Sequence, residues 1–506
     1  MMNQLYPEIF ENPFTLDLGE IPVMEYDLFY DKVSEMLKDD AKHCVAYYGI
    51  EIPGFIRLVC CIANDNCKSV QVLSSVITHQ KSLLKSLVSV CPQVHMFERE
   101  IHENFGVNFE GHPWMKPVRY PHNMADRKAV MDDYPFYEIE SEELHEVGVG
   151  PIHAGVIEPG HFRFICNGEK VLHLEIQLGY QHRGIERLLA ENGNFLTNCI
   201  ICENIAGDSS VAHSLAHAQL IESLAASDAD EALQIERCIG LELERIAMHI
   251  GDTAALCGDV AYQLGQVVCE ALRTEIINTT QFWCGNRFGK GLVRPGGSNY
   301  LLSNKVADKI STVIDDVGKR FTEIADRIYS MPSVLARFED IGQVTRSQAL
   351  SIGAVGMAAR TCGINRDIRF SHPFQCFREY KTQPVILESG DVLARGMLRV
   401  KEVGESIKMV RELIRLHKEQ AGNIPGPVYD HKLTPDTFSL SLVEGWRGEI
   451  CHSAVTDGSG RIIHYKVKDP SFHNWMALAL AVRSQEISDF PVCNKSFNLS
   501  YCGNDL

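Results

Sequence analysis

The hydrophobic pattern of the chain changes near residue 118, and this change limits the folds that its 506 residues can adopt. Before it, short runs rich in branched and aromatic residues predict strands at residues 45–48, 55–61 and 69–75. Longer helical patterns flank them, at residues 26–37 and 80–89. From about residue 194 onward helical patterns dominate. The sequence therefore predicts an α+β fold that begins with a small N-terminal α/β domain over residues 1–119.

Residues 120–149 differ in composition from the sequence on either side. Pro121 and Pro135 interrupt the segment, and residues 138–143 read Glu-Ile-Glu-Ser-Glu-Glu. A polar, proline-containing stretch of this length is typical of a connector between two folded bodies. We therefore predict a linker at 120–149 and a second domain over residues 150–506. A surface loop within one domain is the alternative.

The second domain is predicted to be mainly α-helical with peripheral β hairpins. Apolar residues at positions 235, 239, 243, 246 and 250 recur every three or four residues, which is the spacing of an amphipathic helix. Residues 305–327, 343–361 and 392–416 continue the helical pattern. Asn167-Gly168 between apolar runs predicts a tight hairpin, and Gly458-Ser-Gly predicts a second one between residues 448–457 and 461–468.

Charge and composition exclude several classes of protein. Forty-eight basic and sixty-six acidic residues give a net charge of −18, which disfavours binding of nucleic acid as a primary role. The sequence has no apolar run long enough to cross a membrane, and acidic residues interrupt residues 1–18, so neither a span nor a signal peptide is predicted. Seventeen cysteines at irregular spacings indicate buried thiols in a reducing compartment.

Several strings are too long and unusual to be coincidental. Residues 97–106 read Phe-Glu-Arg-Glu-Ile-His-Glu-Asn-Phe-Gly, residues 150–155 Gly-Pro-Ile-His-Ala-Gly, and residues 182–186 His-Arg-Gly-Ile-Glu. On these strings the chain resembles a fusion of the 30-kDa and 49-kDa subunits of respiratory complex I. It is most similar to the large subunits of formate hydrogenlyase and other group 4 nickel–iron hydrogenases. The resemblance covers nearly the whole chain.

The resemblance implies four positions for metal-binding cysteines. Nickel–iron hydrogenases hold their metals with two Cys-x-x-Cys pairs, because soft thiolates suit these metals. The first pair is followed by a histidine, and the matching His213 places Ala206 and Ser209 at the cysteine positions. The second pair falls on Ser500 and Gly503. The resemblance therefore predicts a relative of the hydrogenases without a nickel–iron centre.

A shifted cysteine set is the alternative metal site, consisting of Cys199, Cys202, Cys493 and Cys502. Moving the first pair by seven residues along a helix displaces it by roughly 10 Å. Metal–sulfur bonds of about 2.3 Å do not tolerate such a displacement. Buried structural thiols are therefore the preferred interpretation of these four residues.

The two segments that meet in the family's metal pocket carry polar residues here. Those singled out as candidate site residues are Asp208, Ser209, His213, Ser500, Tyr501 and Asp505. Glu158 resembles the glutamate that passes protons to the metal in hydrogenases. Such groups can relay protons or bind a small polar ligand. The alternative is that they hydrogen-bond one another and fill the space that the metals would occupy.

The resemblance also raises the question of a quinone site. His161 and His153 lie near the histidine position of complex I but out of register with it. No tyrosine occurs at the family's tyrosine position, and Tyr501 is a candidate to replace it from the other wall of the same cavity. We predict that the chain carries no cofactor of its own, with quinone as the alternative.

The partners follow from the resemblance. They are an iron–sulfur small subunit, whose clusters would deliver electrons, together with antiporter-like and quinone-module membrane subunits. The chain is expected to be a peripheral subunit of an ion-translocating oxidoreductase complex at the cytoplasmic face of the inner membrane. The alternatives are a non-catalytic coupling scaffold within such a complex, and a quinone-reducing or hydrogen-evolving large subunit.

Overall fold

The computed structural model describes residues 6–78, 83–120, 128, 130–419 and 424–506. Its strands are β1 (Glu8–Ile9), β2 (Phe14–Asp17), β3 (Val23–Met24), β4 (Lys42–Ile52), β5 (Phe55–Asn64), β6 (Ser69–Thr78), β7 (Leu83–Lys85), β8 (Asn108–Glu110), β9 (His145–Val149), β10 (His161–Asn167), β11 (Lys170–Gln177), β12 (Thr437–Glu444), β13 (Glu449–Thr456) and β14 (Ile462–Lys468).

The helices are α1 (Tyr26–Met36), α2 (His95–Phe105), α3 (Ile185–Glu191), α4 (Phe195–Cys202), α5 (Ser210–Leu224), α6 (Glu231–Asp259), α7 (Gln263–Cys284), α8 (Asn304–Ile328), α9 (Pro332–Phe338), α10 (Arg346–Ser351), α11 (Gly356–Arg360), α12 (Ile368–Ser371), α13 (Val392–Glu419), α14 (Ser471–Ala481), α15 (Phe490–Phe497) and α16 (Tyr501–Asp505). No helix among these described segments is sufficiently long and apolar to cross a bilayer.

The N-terminal sheet is buried on both faces. Its order is β1-β6-β5-β4, and β3 pairs in parallel with β6. Successive residues of a strand point to opposite faces. Accordingly, Leu58 and Cys60 of β5 belong to a small core with α1 and α2, whereas Val59 and Cys61 belong to the main core. The sheet therefore joins the two parts of the chain through apolar contacts.

A second sheet lies inside the large part of the molecule. Its order is β14-β13-β12-β2, so a strand near the N-terminus completes a sheet built from C-terminal strands. Phe14 of β2 pairs with Leu440 of β12, and Asn12 donates to the carbonyl oxygen of Leu442 at 2.9 Å. Every residue of β12 and β13 is buried. This sheet and the adjacent α5 position the candidate site.

The structure confirms most of the predicted elements. The three N-terminal strands, helix α1, the hairpin β10–β11, the long helices α6, α8 and α13, and the hairpin β13–β14 all form where expected. The mixed α+β class is confirmed as well. The division at residues 119 and 149 stays a prediction.

Two predicted helices are wrong. Within residues 80–89, the described part forms strand β7 and a short 3₁₀ turn at Leu87–Ser89. The segment 343–361 divides into α10 and α11 because Gly353 adopts φ +64°, a left-handed conformation that ends a helix. Thr345 begins α10 with a capping box to Gln348. The turn thus directs the chain back toward the core before α11 begins.

Candidate functional site

The loop between α4 and α5 meets the last helix, α16; these are the two segments that the resemblance assigns to the family's metal pocket. The Arg183 guanidinium joins them, because its Nη2 donates to the carbonyl oxygen of Ile205 at 3.0 Å and to that of Cys502 at 2.8 Å. The loop 445–448 between β12 and β13 forms the third side. These three segments define the candidate site.

An ion pair occupies one side of the site. Both terminal nitrogens of Arg447 donate to the two carboxylate oxygens of Asp208, each at 2.6 Å. Arg447 Nη1 also lies 3.4 Å from the hydroxyl oxygen of Ser209. Burial alone would lower the pKa of Arg447, but the Asp208 carboxylate raises it above its usual value. Two parallel charge-assisted hydrogen bonds of this kind fix both side chains.

Arg447 was not among the residues singled out from the sequence. Its only local signal is its place in the turn Gly445-Trp446-Arg447-Gly448 between two strands. Such a turn gives no indication that its arginine points inward. The pairing with Asp208 depends on tertiary packing, since Arg447 lies 239 positions further along the chain.

Ser500 and its neighbours have structural partners. The Ser500 hydroxyl accepts from the backbone N–H of Gly503 at 2.9 Å, which caps α16. The Ser500 N–H donates to the hydroxyl of Ser471 at 2.8 Å. Asp505 accepts from the N–H groups of Gly179 and Gln181, both at 2.9 Å. These contacts hold α16 against the body of the protein.

Tyr501 and Cys502 line the side nearest Glu158. The Tyr501 ring lies edge-on to Trp475 with centroids 4.8 Å apart. Burial raises the pKa of Tyr501 to about 12, and Glu158 adds to this rise. Burial likewise raises the pKa of the Cys502 thiol to about 12, with a further contribution from Glu158. Glu158 therefore faces a neutral phenol and a neutral thiol.

His213 lies at the bottom of the site and begins a chain of hydrogen bonds. Its Nε2 is 3.2 Å from Asp469 Oδ2, and its Nδ1 is 3.1 Å from His452 Nε2. The Tyr465 hydroxyl oxygen is 2.8 Å from His452 Nδ1 and 2.9 Å from His217 Nδ1. We call these five residues the histidine–tyrosine chain. Each of them is at most 1% exposed.

Four of the five members escaped the sequence analysis. His217 follows His213 by four residues on α5, which places both on one face of the helix. That spacing was the available signal. His452 on β13 and Tyr465 on β14 carry no signal of their own, because only the sheet pairing brings them beneath α5.

The two histidines considered for quinone bind backbone instead. His153 Nε2 lies 2.8 Å from the carbonyl oxygen of Gly160, and His161 Nδ1 lies 3.1 Å from that of Gly150. These contacts close the loop before β10. A polar cleft of about 510 Å³ opens beside Asp208 on the other side of the site, with Asp252, Asp259 and Lys495 in its wall.

Comparison with known proteins agrees with this architecture. The family profile described as "Respiratory-chain NADH dehydrogenase, 30 Kd subunit" matches residues 29–138, and that of the "49 Kd subunit" matches residues 259–436 and 428–505. Hydrogenase-4 component G of Escherichia coli (strain K12) is 23% identical to this chain. The matched region covers 92% of this chain and 81% of that protein.

The chain belongs to the family of fused complex I-like 30-kDa and 49-kDa subunits.

Other relatives come from both branches of this family. Formate hydrogenlyase subunit 5 of Escherichia coli (strain K12) is 25% identical over 81% of this chain and 74% of its own length. An NADH-quinone oxidoreductase subunit of Dehalococcoides mccartyi is 27% identical over 68% of this chain and 93% of its own length. A chain of the membrane-bound sulfane sulfur reductase, an archaeal respiratory membrane complex, shares the fold with a TM-score of 0.66 and 20% identity, covering 73% of this chain and all of that one.

The nickel–iron centre of hydrogenase large subunits does not fit the residues at the candidate site. Ala206, Ser209, Ser500 and Gly503, which the resemblance assigns to the thiolate positions, offer no sulfur. A Cβ atom on residue 503 would lie 2.7 Å from the Asp469 carboxylate carbon. That distance is shorter than a van der Waals contact, so Asp469 fills the space that a cysteine at 503 would need.

The four alternative cysteines lie in different surroundings. Cys502 Sγ is 3.5 Å from the Ser500 hydroxyl, and the Cys493 sulfur would be 2.5 Å from a Cβ atom on Gly342. Cys199 is buried in α4, and burial raises its pKa to about 12. Within the described ranges, Cys202 is the one member found in a group of three potential ligand atoms, with His217 and His452. No common site for the four cysteines forms there.

Proposed function

We propose that this chain is a peripheral subunit of a membrane-associated, ion-translocating oxidoreductase complex and that it works without a nickel–iron centre. The relatives named as hydrogenase and NADH-quinone oxidoreductase subunits support the class of complex. In this proposal an iron–sulfur partner delivers electrons, and antiporter-like membrane partners move the ion. The chain sits at the cytoplasmic face, between these two groups of partners.

The absence of a nickel–iron centre is supported by one observation: protein groups occupy the former metal pocket. The paired charges of Asp208 and Arg447 fill one side, and the Asp469 carboxylate fills the space at Gly503. A bimetallic centre would require thiolates at these points. Asp208 also lines a polar cleft together with Asp252 and Asp259, and carboxylates there suit transfer of protons during turnover.

Metal and subunit analysis of the native complex tests this proposal. The tagged chain, purified from solubilised membranes of its own host, should carry partner subunits and several iron atoms, because the clusters belong to the partners. Nickel should stay far below one atom per chain. One nickel per chain would refute the nickel-free assignment, and a chain that purifies from membranes without any partner would refute the complex.

A non-catalytic coupling scaffold is the second candidate. It is favoured by the structural roles of Ser500 and Asp505, which cap α16 and bind backbone N–H groups. Asp208→Asn separates the two candidates, since it removes the charge that Arg447 pairs with but keeps the shape of the side chain. A working pocket predicts at least a tenfold loss of coupled turnover in a fully assembled complex. A scaffold predicts turnover equal to that of the unmodified complex.

A further inference from the structure

The Asp469 end of the histidine–tyrosine chain fixes the direction of its first hydrogen bond. Burial would raise the pKa of Asp469, but His213 and Arg447 lower it below its usual value, so the group is an acceptor-only carboxylate. His213 must therefore donate from Nε2 to Asp469 Oδ2. One aligned arrangement of the chain has His213 Nδ1 as the acceptor and its partner His452 Nε2 as the donor.

The same reasoning continues to the other end. Burial holds the pKa of His452 well below its usual value, so its remaining nitrogen, Nδ1, is an acceptor for the Tyr465 hydroxyl hydrogen. The Tyr465 oxygen then accepts from His217 Nδ1. Every proton in the chain thus points toward Asp469. His217 Nε2 is left with a lone pair and has no hydrogen-bond partner among the described residues, although it is completely buried.

The two ends of the chain lie in different surroundings. The Asp469 carboxylate touches Gly503 and lies next to the Asp208–Arg447 pair, within the former metal pocket. At the opposite end, His431 is close enough to His217 to help burial and Arg294 hold the pKa of His217 at about 3. His431 is half-buried, and its Nε2 also has no hydrogen-bond partner. The chain therefore runs from the pocket to the buried His217, on the side of the protein where His431 lies.

We propose that Asp469, His213, His452, Tyr465 and His217 form a proton wire between the edge of the protein at His431 and the former metal pocket. The inference rests on the proposed function, because a wire has a use only if the pocket takes part in turnover. It adds the route by which the proton enters or leaves that pocket.

One passage moves four protons already in the chain and one that enters it. A proton binds His217 Nε2, and the Nδ1 proton of His217 passes to the Tyr465 oxygen. The Tyr465 hydroxyl proton passes to His452 Nδ1, and the His452 Nε2 proton passes to His213 Nδ1. The His213 Nε2 proton then neutralises Asp469. Each imidazole and the phenol end neutral, so no charge stays in the buried interior, where it would be costly.

The cluster of Cys202, His217 and His452 offers a competing interpretation as a metal site. Their ligand atoms lie within 4.8 Å of one another. However, the Tyr465 hydroxyl contacts the Nδ1 atoms of both histidines and occupies the space between them. A hydrogen-bonded chain accounts for these contacts without an ion.

The tautomers of the three histidines test the wire directly. In the complex labelled with ¹⁵N-histidine, solid-state NMR should show His213 and His452 protonated on Nε2 and His217 protonated on Nδ1, with assignments from single His→Gln variants. The fully reversed set, with His213 and His452 protonated on Nδ1 and His217 on Nε2, is the state after one passage and equally supports the wire. A mixed set would overturn the proposal, because a chain with opposed hydrogen bonds cannot pass a proton in one sweep. A stoichiometric metal ion lost on Cys202→Ser would overturn it as well.

Turnover of the assembled complex tests whether the proton wire is used. Tyr465→Phe keeps the ring and removes the one atom that joins the two halves of the chain. Tyr48→Phe is the matched control, since Tyr48 is equally buried and its hydroxyl lies 2.9 Å from Ser453 on the same sheet. Proton uptake by proteoliposomes is measured with NADH or dithionite-reduced methyl viologen as donor and a short-chain quinone as acceptor, whichever pair supports turnover of the unmodified complex.

The expected result is at least a tenfold loss of proton uptake in Tyr465→Phe and little change in Tyr48→Phe. Deuterium oxide should slow the residual uptake of Tyr465→Phe by a larger factor than it slows uptake by the unmodified complex. His217→Asn is the second variant if Tyr465→Phe does not assemble, because asparagine keeps one N–H near the Nδ1 position and has no second nitrogen. Equal rates in Tyr465→Phe and Tyr48→Phe would overturn the wire. If the wire is refuted in this way but Asp208→Asn lowers proton uptake in the same assay, the proposed function still stands.

Discussion

The space between Gly503 and Asp469 allows a quantitative test of how tightly the candidate site is filled. Gly503→Ala adds one methyl group 2.7 Å from the Asp469 carboxylate carbon and 2.8 Å from the Ser500 hydroxyl. Asp469 cannot retreat freely, because it accepts from the Ser471 N–H at 2.8 Å and contacts His213 at 3.2 Å. The added methyl group must therefore displace a carboxylate that is held from two sides.

The clash can be accommodated in two ways, and both cost a similar free energy of unfolding. Overpacking of a dense interior costs about 1–3 kcal/mol. If Asp469 moves instead, the hydrogen bond between its charge and His213 is lost, and such bonds contribute about 1.5–3 kcal/mol. We therefore expect Gly503→Ala to lower the free energy of unfolding by about 1–3 kcal/mol.

Gly207→Ala is the matched control in the same site. A Cβ atom on Gly207 would meet no heavy atom within 4 Å, so its free energy of unfolding should change by no more than about 0.5 kcal/mol. The assay is guanidinium unfolding followed by tryptophan emission, since Trp475 packs against Tyr501 beside the substituted position. Coincident unfolding midpoints for the two variants would refute the conclusion that Asp469 fills the pocket.

Two further predictions concern other groups. Maleimide should label Cys67 first in the native chain and Cys502 slowly, because Cys67 is exposed and Cys502 half-buried while the remaining cysteines are buried; rapid labelling of Cys199 or Cys493 would contradict the packing. Burial and Arg366 lower the pKa of His43. Glu449 and Asp65 raise it by a larger amount, so the pKa of His43 in the folded state lies above its usual value. The folded state then binds the extra proton, and its stability should fall as pH rises through that folded pKa, above about 6.5. Unfolding midpoints at acidic and alkaline pH should show this fall in the wild type and a smaller one in His43→Gln; equal falls would contradict it.

The sequence predicted elements well where one periodic pattern decides the structure. The apolar residues of α6 and the Asn167-Gly168 turn required no tertiary information. The prediction of one helix over 343–361 was wrong because the left-handed Gly353 ends the first helix, and a glycine is a local signal of such an end. The segment 80–89 failed because β7 pairs with β8, and pairing between distant segments outweighs a local helical pattern.

The candidate site was predictable only in part for the same reason. Family strings brought the segments around Asp208 and Ser500 together correctly. Arg447, Asp469, His452 and Tyr465 are placed by strand pairing and by packing beneath α5, and nothing near them in the sequence marks them. A site assembled from distant segments is therefore seen from sequence only where a motif survives.

The pairing of β2 with β12 has a consequence for synthesis of the protein. About 430 residues separate the two strands, as the contact between Asn12 and Leu442 illustrates. While the ribosome makes the intervening chain, the apolar Phe14 and its neighbours have no sheet to join. Unpaired strands of this kind invite association with other chains. The nascent polypeptide should therefore need a chaperone until its last hundred residues emerge, and a version split near residue 150 should lose solubility in both halves.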